Sequence, residues 1–230
     1  GARFMTASIR QATMAMSRLK PSGRIGDNMK KILGLVALFV IIISSCFYFF
    51  PKQPKNIFDE IYQETEKTYR TNNILRHIDG FKISPGWPSD DPNISYTPFG
   101  KYETLPKGYS DITINFNFGS GIKGMSIRFE RKTDSNITLW YSAHYNLQKK
   151  VLKKKLAIFE EPRKPGQFID DEEKVREYLR KNNISKEELE KDYDEIVNQK
   201  VLKDWCTIYD SKYSPSNYGE VKVETQWENW

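Results

Sequence analysis

Histidine and cysteine are nearly absent. The 230-residue chain holds two of each, so His77 and His144 cannot by themselves build a multi-histidine metal centre, and no neighbouring thiols exist for a thiolate one. Beyond residue 51 only Cys206 remains, which excludes an internal disulfide from the larger part of the chain. The strings GxSxG, Walker A, GxGxxG and HExxH do not occur. No cofactor, metal, nucleic acid or small-molecule substrate is expected, no catalytic residue is assigned, and the chain is not expected to be an enzyme.

Charge is missing as well. Residues 32–51 carry none, and from Lys52 onward 29 bases meet 29 acids. The net +6 therefore sits wholly before Ile32, where Arg3, Arg10, Arg18, Lys20, Arg24, Lys30 and Lys31 face only Asp27. A protein that coats nucleic acid needs its positive charge on a folded face. Here it lies on one side of an apolar segment.

That segment, Ile32 to Phe50, is 19 residues long. At about 1.5 Å per residue it spans roughly the 30 Å hydrocarbon core of a bilayer. Signal peptides carry shorter apolar regions that end in small residues, whereas this one runs through Phe47, Tyr48, Phe49 and Phe50 into Pro51. A retained single-pass anchor in the cell membrane is expected. Its N-terminus would be cytoplasmic, by the positive-inside rule, and residues 52–230 extracytoplasmic. Ile43-Ser44-Ser45-Cys46 also resembles a lipobox, so a lipidated Cys46 is the alternative anchor. Met29-Lys30-Lys31 resembles a translation start. The expected divisions are 1–28, an N-terminal extension or expression remnant; 29–31, a basic flank; 32–50, the anchor; 51–55, a tether; and 56–230, the outer domain. The sequons at Asn93, Asn136 and Asn183 matter only in a eukaryotic secretory route, whereas a cysteine-poor exported chain is common in Gram-positive bacteria.

In the outer domain Asn56 is placed to cap a helix reaching about Thr71, with Ile57, Phe58, Ile61, Tyr62 and Thr65 near the 3.6 period. Residues 84–110, dense in proline and glycine, allow only short strands near Phe81 and Tyr102. Then the period becomes two. Ile112, Ile114, Phe116 and Phe118 alternate with polar residues, as do Met125, Ile127 and Phe129, and then Leu139, Tyr141, Ala143, Tyr145 and Leu147. Val151 to Phe159 continues this meander, although its lysines also permit a helix. Asp170 with Glu173, and Ser185 with Glu188, have capping-box spacing and predict two amphipathic helices. Trp205–Lys212 and Glu220–Trp227 predict a closing hairpin with Val221, Val223, Thr225 and Trp227 on one side. The expectation is an α+β domain of about three helices on a mainly antiparallel sheet of about seven strands.

Candidate chemistry is sparse. Asp170-Asp171-Glu172-Glu173 lacks calcium-loop spacing and fits a solvated helix start. A nucleophile across the sheet from His144 would make a hydrolase. Lys149–Lys155 reads either as lysines guarding a sheet edge or as a contact for anionic polymers. The polar face of the sheet carries the candidate binding residues: Asn115, Asn117, Ser126, Arg128, Glu130, Trp140, Ser142 and His144, with Lys222, Glu224 and Gln226 from the terminal strand. Trp and Arg among adaptable polar groups suit a protein-binding surface.

Taken together, Met29–Lys31, the apolar segment, Asn56-Ile-Phe-Asp-Glu-Ile-Tyr, Asp111-Ile-Thr-Ile-Asn-Phe-Asn-Phe, Trp205-Cys-Thr-Ile-Tyr-Asp-Ser-Lys-Tyr and Gly219-Glu-Val-Lys-Val resemble the TipC family of immunity proteins from Gram-positive bacteria, over about residues 29–230. The resemblance implies a membrane-anchored, crescent-shaped outer domain of three helices and a seven-stranded sheet. It further implies that the concave sheet face binds and neutralises a type VII-secreted, TelC-like LXG toxin that degrades lipid II. The eight residues above lie on the strands expected to form that face. The competing expectation is a surface lipoprotein or anchored envelope-ligand-binding module.

Overall fold

The computed structural model describes residues 27–49, 53–69, 71–87, 97–119, 121–162 and 168–230, with side chains over 32–43, 53–69, 71–84, 99–119, 121–162 and 168–230. Most of the 1–28 extension, residues 50–52 of the anchor and tether, the Asn93 sequon and the Cys46 side chain lie outside that description. The chain divides into two compact units, residues 1–53 and 54–230.

In the first unit, α1 (Asp27–Phe49) is a helix of 23 residues. Its described side chains, Ile32 to Ile43, are all exposed. Among the described residues no helix is long and apolar enough to cross a membrane. The expected span is thus not seen as such.

The second unit opens with α2 (Ile57–Thr68), which starts where Asn56 Oδ1 accepts from the Asp59 N–H at 2.9 Å. Asp59 and Glu60 lie in its first turn, where the helix dipole favours acids. Ile57, Phe58, Ile61 and Tyr62 are buried on one face. A 3-10 turn (Ile74–His77) leads into the strands β1 (Phe81–Trp87), β2 (Thr97–Tyr102), β3 (Tyr109–Asn117), β4 (Gly124–Lys132), β5 (Ile137–Asn146) and β6 (Val151–Glu160). Each pairs antiparallel with the next. The lysines of β6 do not make it helical: Leu152, Lys154, Leu156 and Ile158 alternate onto the core side, and Lys154 lies over the Tyr193 ring at 3.9 Å. Gly100 is required in β2, because a Cβ there would lie 2.0 Å from the Phe81 ring.

The chain then turns helical through α3 (Glu172–Lys181), α4 (Lys186–Tyr193), a π-helical stretch (Asp194–Leu202) and α5 (Lys203–Tyr209), the last three without a break. Ser185 caps α4 as its spacing predicts; α3 is capped by Asp171, one residue later than expected. The expected strand over Trp205–Lys212 is instead α5. Val197, Val201 and Trp205 are buried at four-residue intervals, so the apolar stripe of the preceding turns continues and holds the segment helical until Asp210 turns left-handed (φ 52°).

That correction removes the closing hairpin. β7 (Lys222–Thr225) has no antiparallel partner behind it and pairs parallel with β6, Leu152 opposite Val223. A parallel pair needs a long crossover, which α3 to α5 supply. Val223 is exposed while Trp227 is buried, so the expected common face of Val221 to Trp227 is not formed. Among the described residues the result is a seven-stranded, mostly antiparallel open sheet in sequence order with four helices, α2 to α5.

Helices and sheet meet in an aromatic core, with Phe58 stacked on Tyr145 at 5.0 Å and Phe129 on Tyr141 at 4.4 Å. Tyrosine hydroxyls on the sheet's core face donate to helix aspartates: Tyr145 to Asp59 on α2, Tyr141 to Asp192 on α4 and Tyr102 to Asp204 on α5. Each carboxylate, buried at Asp59 and Asp192 and partly buried at Asp204, thereby gains a charge-assisted partner.

Candidate functional site

With the helices on one side, alternation leaves the other side of the sheet uncovered by them. Strand register resolves that open face into rows. One row runs Phe99, Asn115, Ser126, His144, Lys153 and Glu224; the next runs Lys101, Thr113, Arg128, Ser142 and Lys155; a third runs Asp111, Glu130, Trp140 and Ala157. Seven of the eight candidate residues therefore occupy three adjacent rows on β3, β4 and β5. Asn117 stands apart at the end of β3, where its side chain donates to the Ile122 carbonyl and accepts from the Gly119 N–H, shaping the turn.

The seven are not equivalent. Ser126 is buried at 6% exposure, between Asn115 and His144, so it sits beneath the surface. Glu130 accepts from Ser110 at 3.2 Å. Arg128 is exposed and its guanidinium carbon lies 5.6 Å from the centre of the Trp140 ring, a cation–π distance. Its surroundings remove some of its water and lower its pKa from the usual value. His144 is pushed below the ordinary histidine value, first by desolvation and then by the positive charge of Arg128, Lys155 and Lys153. The shift favours its neutral form.

Ser126 stands opposite His144 in register, yet no hydrogen bond joins them, and no carboxylate contacts His144 among the described residues. A hydrolytic triad is not assembled there. Nor do three or more His, Cys, Asp or Glu side chains gather in a metal-binding group among the described residues; Asp171 is occupied in capping α3.

The alternation distributes Lys149–Lys155 rather than pooling it. Lys150 pairs with Asp59 at 2.6 Å, Lys153 with Glu224 at 3.3 Å and Lys154 with Glu190 at 2.8 Å. The edge-guarding reading is corrected as well, because β7 covers the outer side of β6 over Val151–Lys154. Lys155 projects on the open face beside Ser142, and sequence reasoning missed it as a site residue because it was read within a run instead of by strand parity.

A cleft of about 500 Å³ opens at this place. Trp140, Ser142 and Lys155 line it from the sheet, Phe168, Asp170 and Glu172 from the segment leading into α3, and Glu224, Thr225 and Gln226 from β7 and the residue after it. Gln226 Oε1 accepts from the Leu156 N–H at 2.8 Å, which ties that wall to β6. Phe168 is half exposed. Aromatic surface, cations and small hydroxyls in one concavity suit recognition of a protein surface.

Comparison with known proteins matches the family described as TipC immunity protein-like over residues 29–226. The solved structure of TipC2 from Streptococcus intermedius B196 is 41% identical, with a TM-score of 0.73, and covers 78% of this chain and 100% of that one. No curated protein matches in sequence.

Proposed function

Because the chain belongs to the TipC immunity protein-like family, we propose that it is a non-enzymatic inhibitor that binds and neutralises a secreted protein toxin. The toxin is of the TelC-like LXG kind exported by type VII secretion and directed at lipid II. Binding takes place outside the cytoplasmic membrane, through the open face of β3 to β6. The family match carries this reading. The open face supports it with Arg128, Trp140, Ser142 and His144 in adjacent rows and a cleft at their side. The apolar composition of Ile32 to Phe50 supports an anchor, with the outer domain beginning after the 51–55 tether.

The test is protection. Cells exporting a TelC-like toxin to the wall are expected to survive when the full chain is co-expressed, and the two proteins are expected to co-purify. Lysis despite normal expression, with no complex formed by any TelC-like toxin of the same organism, would refute the proposal. If the mature membrane-bound form has an intact mass beginning at a lipidated Cys46, the anchor is a lipid and not a helix.

A further inference from the structure

Among the described residues, the charged groups on the open face do not all find partners. Asp111 pairs with Lys101 at 2.7 Å, and Glu224 with Lys153 at 3.3 Å and Lys222 at 2.8 Å. Arg128 and Lys155 form no ion pair among the described residues, and the Arg128 guanidinium lies against the Trp140 ring. Both are exposed. They lie on β4 and β6 in one row, with Ser142 of β5 between them. At about 4.8 Å between strands, the two cationic positions are roughly 10 Å apart. Asp170 and Glu172 share the cleft with Lys155, but neither comes within ion-pairing distance of it.

Two unpaired cations flanking a hydroxyl, next to an indole and a cleft, form a site for carboxylates. Arg offers a planar fork of donors for a carboxylate, and the Arg128 guanidinium lies within cation–π distance of the Trp140 ring. Resting on the function proposed above, we infer that the Arg128–Ser142–Lys155 row receives an acidic segment of the partner toxin and that these two cations set the partner's charge specificity. The ligand is a run of Asp or Glu side chains on a protein. The row lies beside a concave cleft of about 500 Å³, which admits a segment of a protein chain, whereas a bilayer presents a broad flat surface; phosphate-bearing lipid is the outcome that the vesicle competition detects.

The experiment uses the full chain and a purified TelC-like toxin that it binds. Arg128→Glu and Lys155→Glu are each expected to weaken binding about 10-fold or more, and the pair together about 100-fold, with steeper loss at low salt. The neutral variants Arg128→Gln and Lys155→Gln fall between. Lys181→Glu on exposed α3 changes net charge equally and is expected to leave affinity unchanged. A deca-glutamate peptide should compete with toxin on the wild type and lose that ability on the double variant. All variants should keep the wild-type circular dichroism and melting temperature, since both side chains are exposed. Wild-type toxin binding that survives both reversals overturns this inference and leaves the function standing. Absence of toxin binding by the wild type sinks the function and this inference with it. Competition by phosphatidylglycerol vesicles but not by the peptide also overturns it, by moving the ligand from protein to lipid.

Discussion

Asp59 holds more of the domain together than a single helix residue usually does. Fully buried in the first turn of α2, it receives the Tyr145 hydroxyl at 2.6 Å, the Lys150 ammonium at 2.6 Å and the Lys55 N–H at 3.1 Å. Replacing it by alanine strands a buried hydroxyl and a partly buried cation together, a loss of about 3 kcal/mol. Urea denaturation of Asp59→Ala should show a lower midpoint with an unchanged slope. Much at this scale was legible beforehand. Asn56 and Ser185 announced themselves as caps, because a short oxygen-bearing side chain before an apolar period has one local use. The burial of Ser126 was not legible: parity assigned it to the open face, and only the neighbours Asn115 and His144 on flanking strands determine that it is covered.

Among the elements, α5 separates local preference from context. Trp205-Cys-Thr-Ile-Tyr has the aromatic and β-branched composition of a strand, yet it follows a helix already in progress whose buried stripe Val197, Val201 and Trp205 it completes. Trp205 then donates to Glu60 at 3.1 Å, a link across 145 positions that no local pattern encodes. Thr207 is exposed on α5, and its hydroxyl bonds back to the Lys203 carbonyl at 2.9 Å. Thr207→Pro is expected to destabilise the domain by about 3 kcal/mol, because it removes a helix hydrogen bond and clashes with the preceding turn. An edge strand would tolerate it far better, so the thermal midpoint tests the assignment. By contrast β3 to β6 were readable nearly to the residue, since a sheet with one buried face forces strict alternation. Lys155 escaped notice for the complementary reason: its neighbours are also lysines, and composition hides parity.

For the whole molecule, the tyrosine–aspartate ties predict an alkaline limit. Burial raises Tyr102, Tyr109, Tyr141, Tyr145 and Tyr193 well above the ordinary tyrosine value, with nearby carboxylates adding to it, and pushes Tyr218 up to about 12. In the unfolded chain these groups ionise near about pH 10. Their folded values are higher, so the stability they contribute is complete below about pH 10 and is lost as pH climbs through the folded values. Most of the rise in tyrosinate absorbance is expected only together with loss of circular dichroism. A single early rise with the fold intact would contradict the ties.

The parallel pairing of β6 with β7 also orders events in time. Strands β1 to β6 each pair with the neighbour next to them in sequence, so those contacts are local and can form early. The outer edge of β6 must wait for Lys222–Thr225, which lie beyond the whole helical crossover. Until then the backbone donors and acceptors of Val151–Lys154 on that side lack their strand partner, a ready template for mispairing. Docking of β7, not the local antiparallel pairing, is therefore the step at which the sheet, and the wall of the cleft formed by Glu224 to Gln226, becomes complete.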